Sequence, residues 1–194
     1  PDAYMPHINM GNTYYEKKEI DKAIKHYQIA LKLKQNYPNA YYNLGLIYFE
    51  QGRFEDAIKE YMIALKLKPD DAEAHNNLGA VYFRQGRLDE AMKEYMIASK
   101  LNPDYTEAYY NLGLIYFKQG RLDEAIKEYT IALKLKPDYT QVYNNLGKVY
   151  SKKGEIDKAI EHYQSALRLK PDYLDAHYNL GLVYLETGLR HKAE

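Results

Sequence analysis

The tripeptide Asn-Leu-Gly recurs at Asn43-Leu44-Gly45, Asn77-Leu78-Gly79, Asn111-Leu112-Gly113, Asn145-Leu146-Gly147 and Asn179-Leu180-Gly181. Each step is 34 residues, and Asn9-Met10-Gly11 is an altered sixth copy. A strict period of this size means that one supersecondary unit repeats and that neighbours stack to bury a shared core. A second glycine series (Gly52, Gly86, Gly120, Gly154, Gly188) trails the first by seven residues, with Lys18 in its place in copy one. Pro69, Pro103, Pro137 and Pro171 close copies two to five, and Gln35 holds that place in copy one. The expected repeats are 4–37, 38–71, 72–105, 106–139, 140–173 and a truncated 174–194, together one domain over 1–194.

Each unit reads as two amphipathic helices. In 106–139, Ala108, Tyr109, Leu112, Gly113, Ile115 and Tyr116 have helical spacing and form the inner face of a first helix, A. Gln119-Gly120 ends it, Gly120 being suited to the left-handed conformation of a helix terminus. Helix B opens on Asp123-Glu124, carboxylates that the helix dipole favours there, and continues Ala125, Ile126, Tyr129, Ala132, Leu133 and Leu135. Lys134 and Lys136 complement its C-terminal end and Pro137 forbids continuation. Asp138 is placed to cap the next helix A, as are Asp104 with Glu107 and Asp70 with Glu73 in capping-box-like pairs.

These residues resemble the tetratricopeptide-repeat (TPR) family over nearly the whole chain. Copy two supplies the family's aromatic, Leu-Gly, Tyr, Ala, aromatic, Ala and Pro places as Tyr41, Leu44, Gly45, Tyr48, Ala57, Tyr61, Ala64 and Pro69. The resemblance implies an all-α solenoid of helical hairpins wound as a right-handed superhelix, with helix A lining the concave face.

Against this frame most tempting chemistry reduces to packing. His7, His75 and His177 stand at the place that Tyr41, Tyr109 and Tyr143 hold in other copies; His26 and His162 share one place on helix B. No histidine stands at metal-ligand spacing, the glycines form no phosphate loop, and Ser99, Ser151 and Ser165 lack a base at a recognisable interval. No enzyme activity, metal or cofactor is expected. Lys+Arg and Asp+Glu are both 27, so the chain lacks the basic surplus that nucleic-acid or anionic-membrane binding draws on. It has no cysteine and no long apolar run, and a cytoplasmic setting is expected. Of the 23 tyrosines, fourteen fall at three core places, typified by Tyr41, Tyr48 and Tyr61.

What remains points to partner binding. One helix A stripe carries an asparagine in every copy: Asn9, Asn43, Asn77, Asn111, Asn145 and Asn179. Asparagine is a mediocre helix former, and its carboxamide offers both a donor and an acceptor that match a backbone amide. The row resembles the asparagine ladder of the superhelical TPR region of O-GlcNAc transferases, which implies contact with the main chain of an extended peptide. The alternative is that the asparagines join adjacent helices A by hydrogen bonds. A neighbouring stripe supplies Tyr42, Leu46 and Phe49, Tyr110, Leu114 and Phe117, and Tyr178 with Leu182 and Leu185. Copies three and five carry Asn76, Ala80 and Phe83, and Asn144, Lys148 and Ser151 there, so apolar pockets are expected at alternate repeats. Packing of these aromatics between repeats is the competing reading.

TPR domains that clamp the acidic tail of Hsp70 or Hsp90 chaperones use a Lys, Asn, Asn, Lys, Arg set. Here those places hold Ile8, Asn12, Asn43, Glu73 and Asn77, so all three cations are missing and tail binding is disfavoured. Arg190 and Glu194 fall at apolar places of helix B, and the chain is expected to be a piece of a longer array. Three functions stay open: a scaffold for a protein or peptide segment, a scaffold that associates end to end or with its own kind, and the substrate-recruiting arm of an enzyme encoded elsewhere.

Overall fold

A computed structural model of the chain describes residues 3–188; Arg190, His191 and Glu194 lie outside them. The described residues form eleven helices and no strand. Helices A are α1 (Met5–Glu16), α3 (Pro38–Glu50), α5 (Ala72–Arg84), α7 (Thr106–Lys118), α9 (Thr140–Lys153) and α11 (Leu174–Glu186). Helices B are α2 (Ile20–Leu33), α4 (Phe54–Leu67), α6 (Leu88–Leu101), α8 (Leu122–Leu135) and α10 (Ile156–Leu169). The chain divides into two compact units, Pro1–Pro103 with α1–α6 and Asp104–Glu194 with α7–α11. In each unit a helix A packs on the following helix B as a hairpin, and the hairpins stack.

The second glycine series turns each hairpin. Gly52 has φ +72°, its N–H donates to Phe49 O at 2.9 Å, and the Arg53 N–H donates to Tyr48 O at 2.8 Å. These paired bonds close a helix end on a left-handed residue. Gly86, Gly120 and Gly154 repeat the arrangement, and Lys18 adopts the same hand at φ 61° in copy one. Arg53 then lays its guanidinium 4.2 Å from the centre of the Tyr48 ring, as Arg87 does on Tyr82 and Arg121 on Tyr116.

The first glycine series sets how close the two helices of a hairpin come. A Cβ built on Gly45 would meet the Tyr61 ring at 2.9 Å; on Gly79 it would meet Tyr95 at 2.8 Å. Gly11 faces Tyr27, Gly113 faces Tyr129 and Gly147 faces Tyr163 in the same way. Tyr27, Tyr61, Tyr95, Tyr129 and Tyr163 are therefore buried to within 2% of complete, walled by the alanine pairs Ala57 with Ala64 and Ala125 with Ala132. Small residues on both helices make room for one large ring per hairpin.

The capping expectation needs correction. The N-cap of helix A lies one residue after the aspartates of the Pro-Asp turns: the N-caps of α7 and α9 are Tyr105 and Tyr139, with no side-chain cap bond. Among the described helices only α5 is capped by a side chain, and not by Asp70: Asp71 Oδ1 accepts from the Ala74 N–H at 3.1 Å. The Pro-Asp pair is used up in the turn itself, leaving the next residue at the N-cap.

Candidate functional site

The asparagine stripe makes one kind of bond in both units. In the first, Asn43 Nδ2 donates to Asn12 Oδ1 at 3.2 Å, an oxygen that also accepts from the Tyr27 hydroxyl at 2.7 Å. Asn77 Nδ2 donates to the Tyr42 hydroxyl at 2.8 Å, and that hydroxyl donates to Glu73 Oε1 at 2.6 Å. In the second unit Asn145 Nδ2 donates to the Tyr110 hydroxyl at 3.4 Å and Asn179 Nδ2 to Asn144 Oδ1 at 3.0 Å. In these four, the carboxamide nitrogen ties its helix A to the helix A of the preceding repeat. The Oδ1 atoms of Asn43, Asn145 and Asn179 accept no bond among the described residues. Asn111 is half-buried on α7 and Asn9 is exposed on α1.

Two cavities open on these stripes. One of about 350 Å³ in the first unit is lined by Asn12, Tyr42, Asn43, Lys68, Asp71 and Glu73, among others. Burial pushes the Asp71 carboxyl up, but bonds from Lys68 and the Ala74 N–H outweigh it and hold its pKa below the usual range. The second cavity, about 220 Å³ in the second unit, is bounded by Lys148, Ser151, Lys152, Tyr163, Asn179 and Leu182.

The aromatic stripe divides. Tyr42 is half-buried edge-on to Tyr61, with ring centres 5.8 Å apart, and Tyr110 lies 5.1 Å from Tyr139 and 6.2 Å from Tyr129. Burial raises the Tyr110 pKa. Both rings are packed between layers and both hydroxyls serve the inter-repeat bonds. Tyr178 is 68% exposed. Leu46, Leu114, Phe83 and Phe117 are half-buried; Phe49 is half-buried 6.1 Å from Phe54, and Lys152 stands 5.5 Å over Phe117.

Sequence reasoning missed several participants. Asn12 is a hub on α1, Asn144 is buried as the acceptor for Asn179, and Tyr15 donates to Glu50 Oε1 at 2.6 Å. His75, read as a packing residue, is an ion-pair member: Nδ1 lies 2.6 Å from Glu94 Oε2 and Nε2 3.1 Å from Pro69 O. The signal was a 19-residue offset linking a helix A place to a helix B place, which also joins His7 to His26 at 3.0 Å.

These histidines carry opposite pH dependences. Burial pulls the His75 pKa down, but the bonds to Glu94 and Pro69 outweigh it and the net shift is upward. A raised pKa stabilises the fold fully below the unfolded value of about 6.5, and that contribution is lost as pH climbs through the folded value. His162, stacked on Tyr150 at 5.1 Å with a buried Nδ1 that finds no partner, is shifted down by desolvation. It weakens the fold as pH falls below the unfolded value. In an NMR titration His75 is expected to titrate above a histidine in an unfolded peptide and His162 below it. The reverse order would refute the Glu94 pairing.

Among the described residues no group of three His, Asp or Glu converges on a common metal position. A family model described as the Cilia and flagella-associated protein 70 C-terminal domain matches residues 5–194. The chain belongs to that TPR family. MamA, a solved structure, is 30% identical with a TM-score of 0.78, the match covering 87% of this chain and 92% of MamA. A structure titled "YrrB: a TPR protein with an unusual peptide-binding site" is 26% identical at a TM-score of 0.76, over 91% of each chain. PilF of Pseudomonas aeruginosa shares the fold at 21% identity and a TM-score of 0.86, over 98% of this chain and 87% of that one. A comparison with curated proteins finds no match. The TPR architecture is that of a protein-interaction scaffold, with protein or peptide partners. Among the described residues no helix is long and apolar enough to cross a membrane.

Proposed function

We propose that this TPR chain is a non-catalytic, cytoplasmic scaffold that holds an extended segment of another protein on its helix A faces. The observation that carries the reading is the division of labour within the carboxamides of Asn43, Asn145 and Asn179. The nitrogen is spent on the neighbouring repeat, so the side chain is held in place before any ligand arrives, and Oδ1 is left to accept. Asn43 and Asn179 border the two cavities, where such an oxygen meets the N–H of a segment lying across the stripe. Main-chain recognition of this kind supplies affinity without sequence; Tyr178, Leu182 and the cavity walls add selectivity. The YrrB structure, titled for a peptide-binding site on a similar fold, supports the same assignment.

An array of 15-residue peptides tiled from the source proteome tests it. The protein is expected to retain a subset, and Asn43→Ala with Asn145→Ala and Asn179→Ala is expected to weaken retention severalfold. Each substitution also removes an inter-repeat bond worth about 1 kcal/mol, so helicity is checked by circular dichroism at a temperature well below the melt. Equal retention by the folded triple variant would show that the carboxamides serve the stack alone. A second reading, self-association, draws on Leu174, Tyr178, Leu182 and Leu185, an exposed apolar row on α11. A mass by light scattering that does not rise with concentration removes it.

A further inference from the structure

We propose that the 220 Å³ cavity of the second unit binds a carboxylate, the side chain of an Asp or Glu in the segment that the scaffold holds. The inference rests on the peptide-binding reading above. α9 places Lys148 and Lys152 one turn apart with Ser151 beside them, α10 contributes Tyr163, and α11 contributes Asn179 and Leu182. Lys148 occupies a place that is Leu46, Leu114 and Leu182 in copies two, four and six and Ala80 in copy three. An apolar place has become a lysine whose side chain is half-buried.

That cation has no counter-ion. Among the described residues Lys148 and Lys152 form no ion pair or hydrogen bond, the Ser151 hydroxyl makes no side-chain bond, and neither does the Tyr163 hydroxyl. The next lysine on the same helix behaves differently: Lys153 pairs with Asp123 at 2.5 Å and with Glu155 at 3.4 Å. Of the three lysines of α9, the one outside the cavity is ion-paired and the two lining it are not. Tyr163 is only 2% exposed, yet its hydroxyl is not sealed from solvent, and burial followed by the nearby Glu186 charge keeps it protonated. The cavity therefore gathers the Lys148 ammonium and two hydroxyl donors, none of which bonds to Asn179 or Glu186 on the same lining, while Lys152, which also lines it, stands 5.5 Å over the Phe117 ring. An ammonium without a counter-ion is stabilised by an anion that accepts its hydrogen bonds, and such charge-assisted bonds are stronger than neutral ones.

The same geometry selects the charge of the ligand. Glu186 also lines the cavity, more than 4 Å from either ammonium, so the lining carries a net charge of one positive unit. That balances one carboxylate; a phosphate dianion would meet Glu186 in excess. Leu182 and Val183 form an apolar wall against which the methylenes of a Glu side chain pack.

The test prints each acidic peptide retained on the array beside its isostere with Asn for Asp and Gln for Glu, and measures both by fluorescence anisotropy at low salt. The wild type is expected to prefer the acid about tenfold or more, a preference that falls with added salt. Lys148→Leu, which installs the residue of three other copies, is expected to bring the ratio close to one, and Tyr163→Phe to lower it severalfold. Lys153→Leu is expected to leave it unchanged. Peptides that bind with equal affinity in acid and amide form, or a ratio that survives Lys148→Leu, overturn the carboxylate site and leave the scaffold reading standing. Preference for phosphoserine over Asp and Glu overturns the ligand class. Failure to retain any peptide overturns both readings.

Discussion

Gly113→Ala is expected to lower the melting temperature by several degrees, and Gly45→Ala, the same substitution at the same place two repeats back, to lower it by less. Both glycines sit inside a helix A, where alanine is ordinarily the better residue by about 1 kcal/mol, so the loss comes from what the added Cβ meets. At Gly113 and Gly147 the Cβ would stand 2.4 Å from a ring carbon of Tyr129 and Tyr163, closer than the 2.9 Å contact at Gly45. Those rings are fully buried between two helices, so they have nowhere to swing, and relief requires the hairpin to open. Overpacking of this kind costs about 1–3 kcal/mol or more. The net loss at Gly113 is therefore expected to be about 2 kcal/mol, and Gly45 and Gly79 are expected to lose less. Urea denaturation followed by circular dichroism reads the order directly. If Gly113→Ala stabilises, the close approach of α7 and α8 is not as described. In Gly113→Ala with Tyr129→Leu, a slimmer side chain is expected to recover part of the loss, a coupling that a double-mutant cycle isolates.

That contrast shows what a repeating sequence discloses. The hairpins follow from local facts: Gly120 must sit at a left-handed turn, Pro137 must stop helix B, and apolar residues between them have helical spacing. Each is decided within a few residues, so each can be read without a fold. The asparagines are different. Asn77 and Asn145 look alike in sequence, and which of their two polar ends faces the neighbouring repeat depends on the residue 35 positions earlier, Tyr42 or Tyr110. Where that residue is Asn144, the same bond is made to a carboxamide instead. The stripe was legible and the direction of its bonds was not, because direction is set by the stacking of repeats. The His75–Glu94 pair was hidden for the same reason, its partners lying on different helices of one hairpin. The caps failed for a smaller one: a single-residue shift moves Asp70, Asp104 and Asp138 out of the N-cap, and periodicity does not resolve one residue.

Tyr129→Ala is expected to cost about 3–5 kcal/mol, the largest single loss in the second unit, while Tyr129→Phe is expected to cost nothing or to stabilise. The ring is fully buried and touches the core of α8 and α9, with Ala125, Ala132, Val142 and Leu146 around it. Its loss leaves a cavity that cannot collapse, because Gly113 opposite has no side chain to fill it. The hydroxyl contributes differently. It is buried and finds no hydrogen-bond partner, since the nearby Asn145 gives its Nδ2 to Tyr110. Burial drives its pKa far above that of a free phenol, so it stays neutral and its full desolvation cost falls on the fold. Leaving such a group unsatisfied costs about 1–3 kcal/mol, and phenylalanine removes that cost without changing the ring. Tyr61, whose hydroxyl is also buried without a partner, is expected to behave alike. Tyr27 is the control: its hydroxyl donates to Asn12 at 2.7 Å, so Tyr27→Phe is expected to lose about 1 kcal/mol. Chemical denaturation of the three phenylalanine variants decides the matter. If Tyr129→Phe loses as much as Tyr27→Phe, its hydroxyl has an acceptor in solution, and the carboxamides are not all turned toward the preceding repeat. The pattern expected here carries further: where the asparagine nitrogen is given to a tyrosine of helix A, as at Asn77 and Asn145, the helix B tyrosine Tyr61 or Tyr129 is left without a partner, and where it is given to Asn12, Tyr27 bonds that same carboxamide oxygen. The tyrosine ring is thus retained for its bulk against the glycine, and its hydroxyl is tolerated at the positions where the stripe turns away.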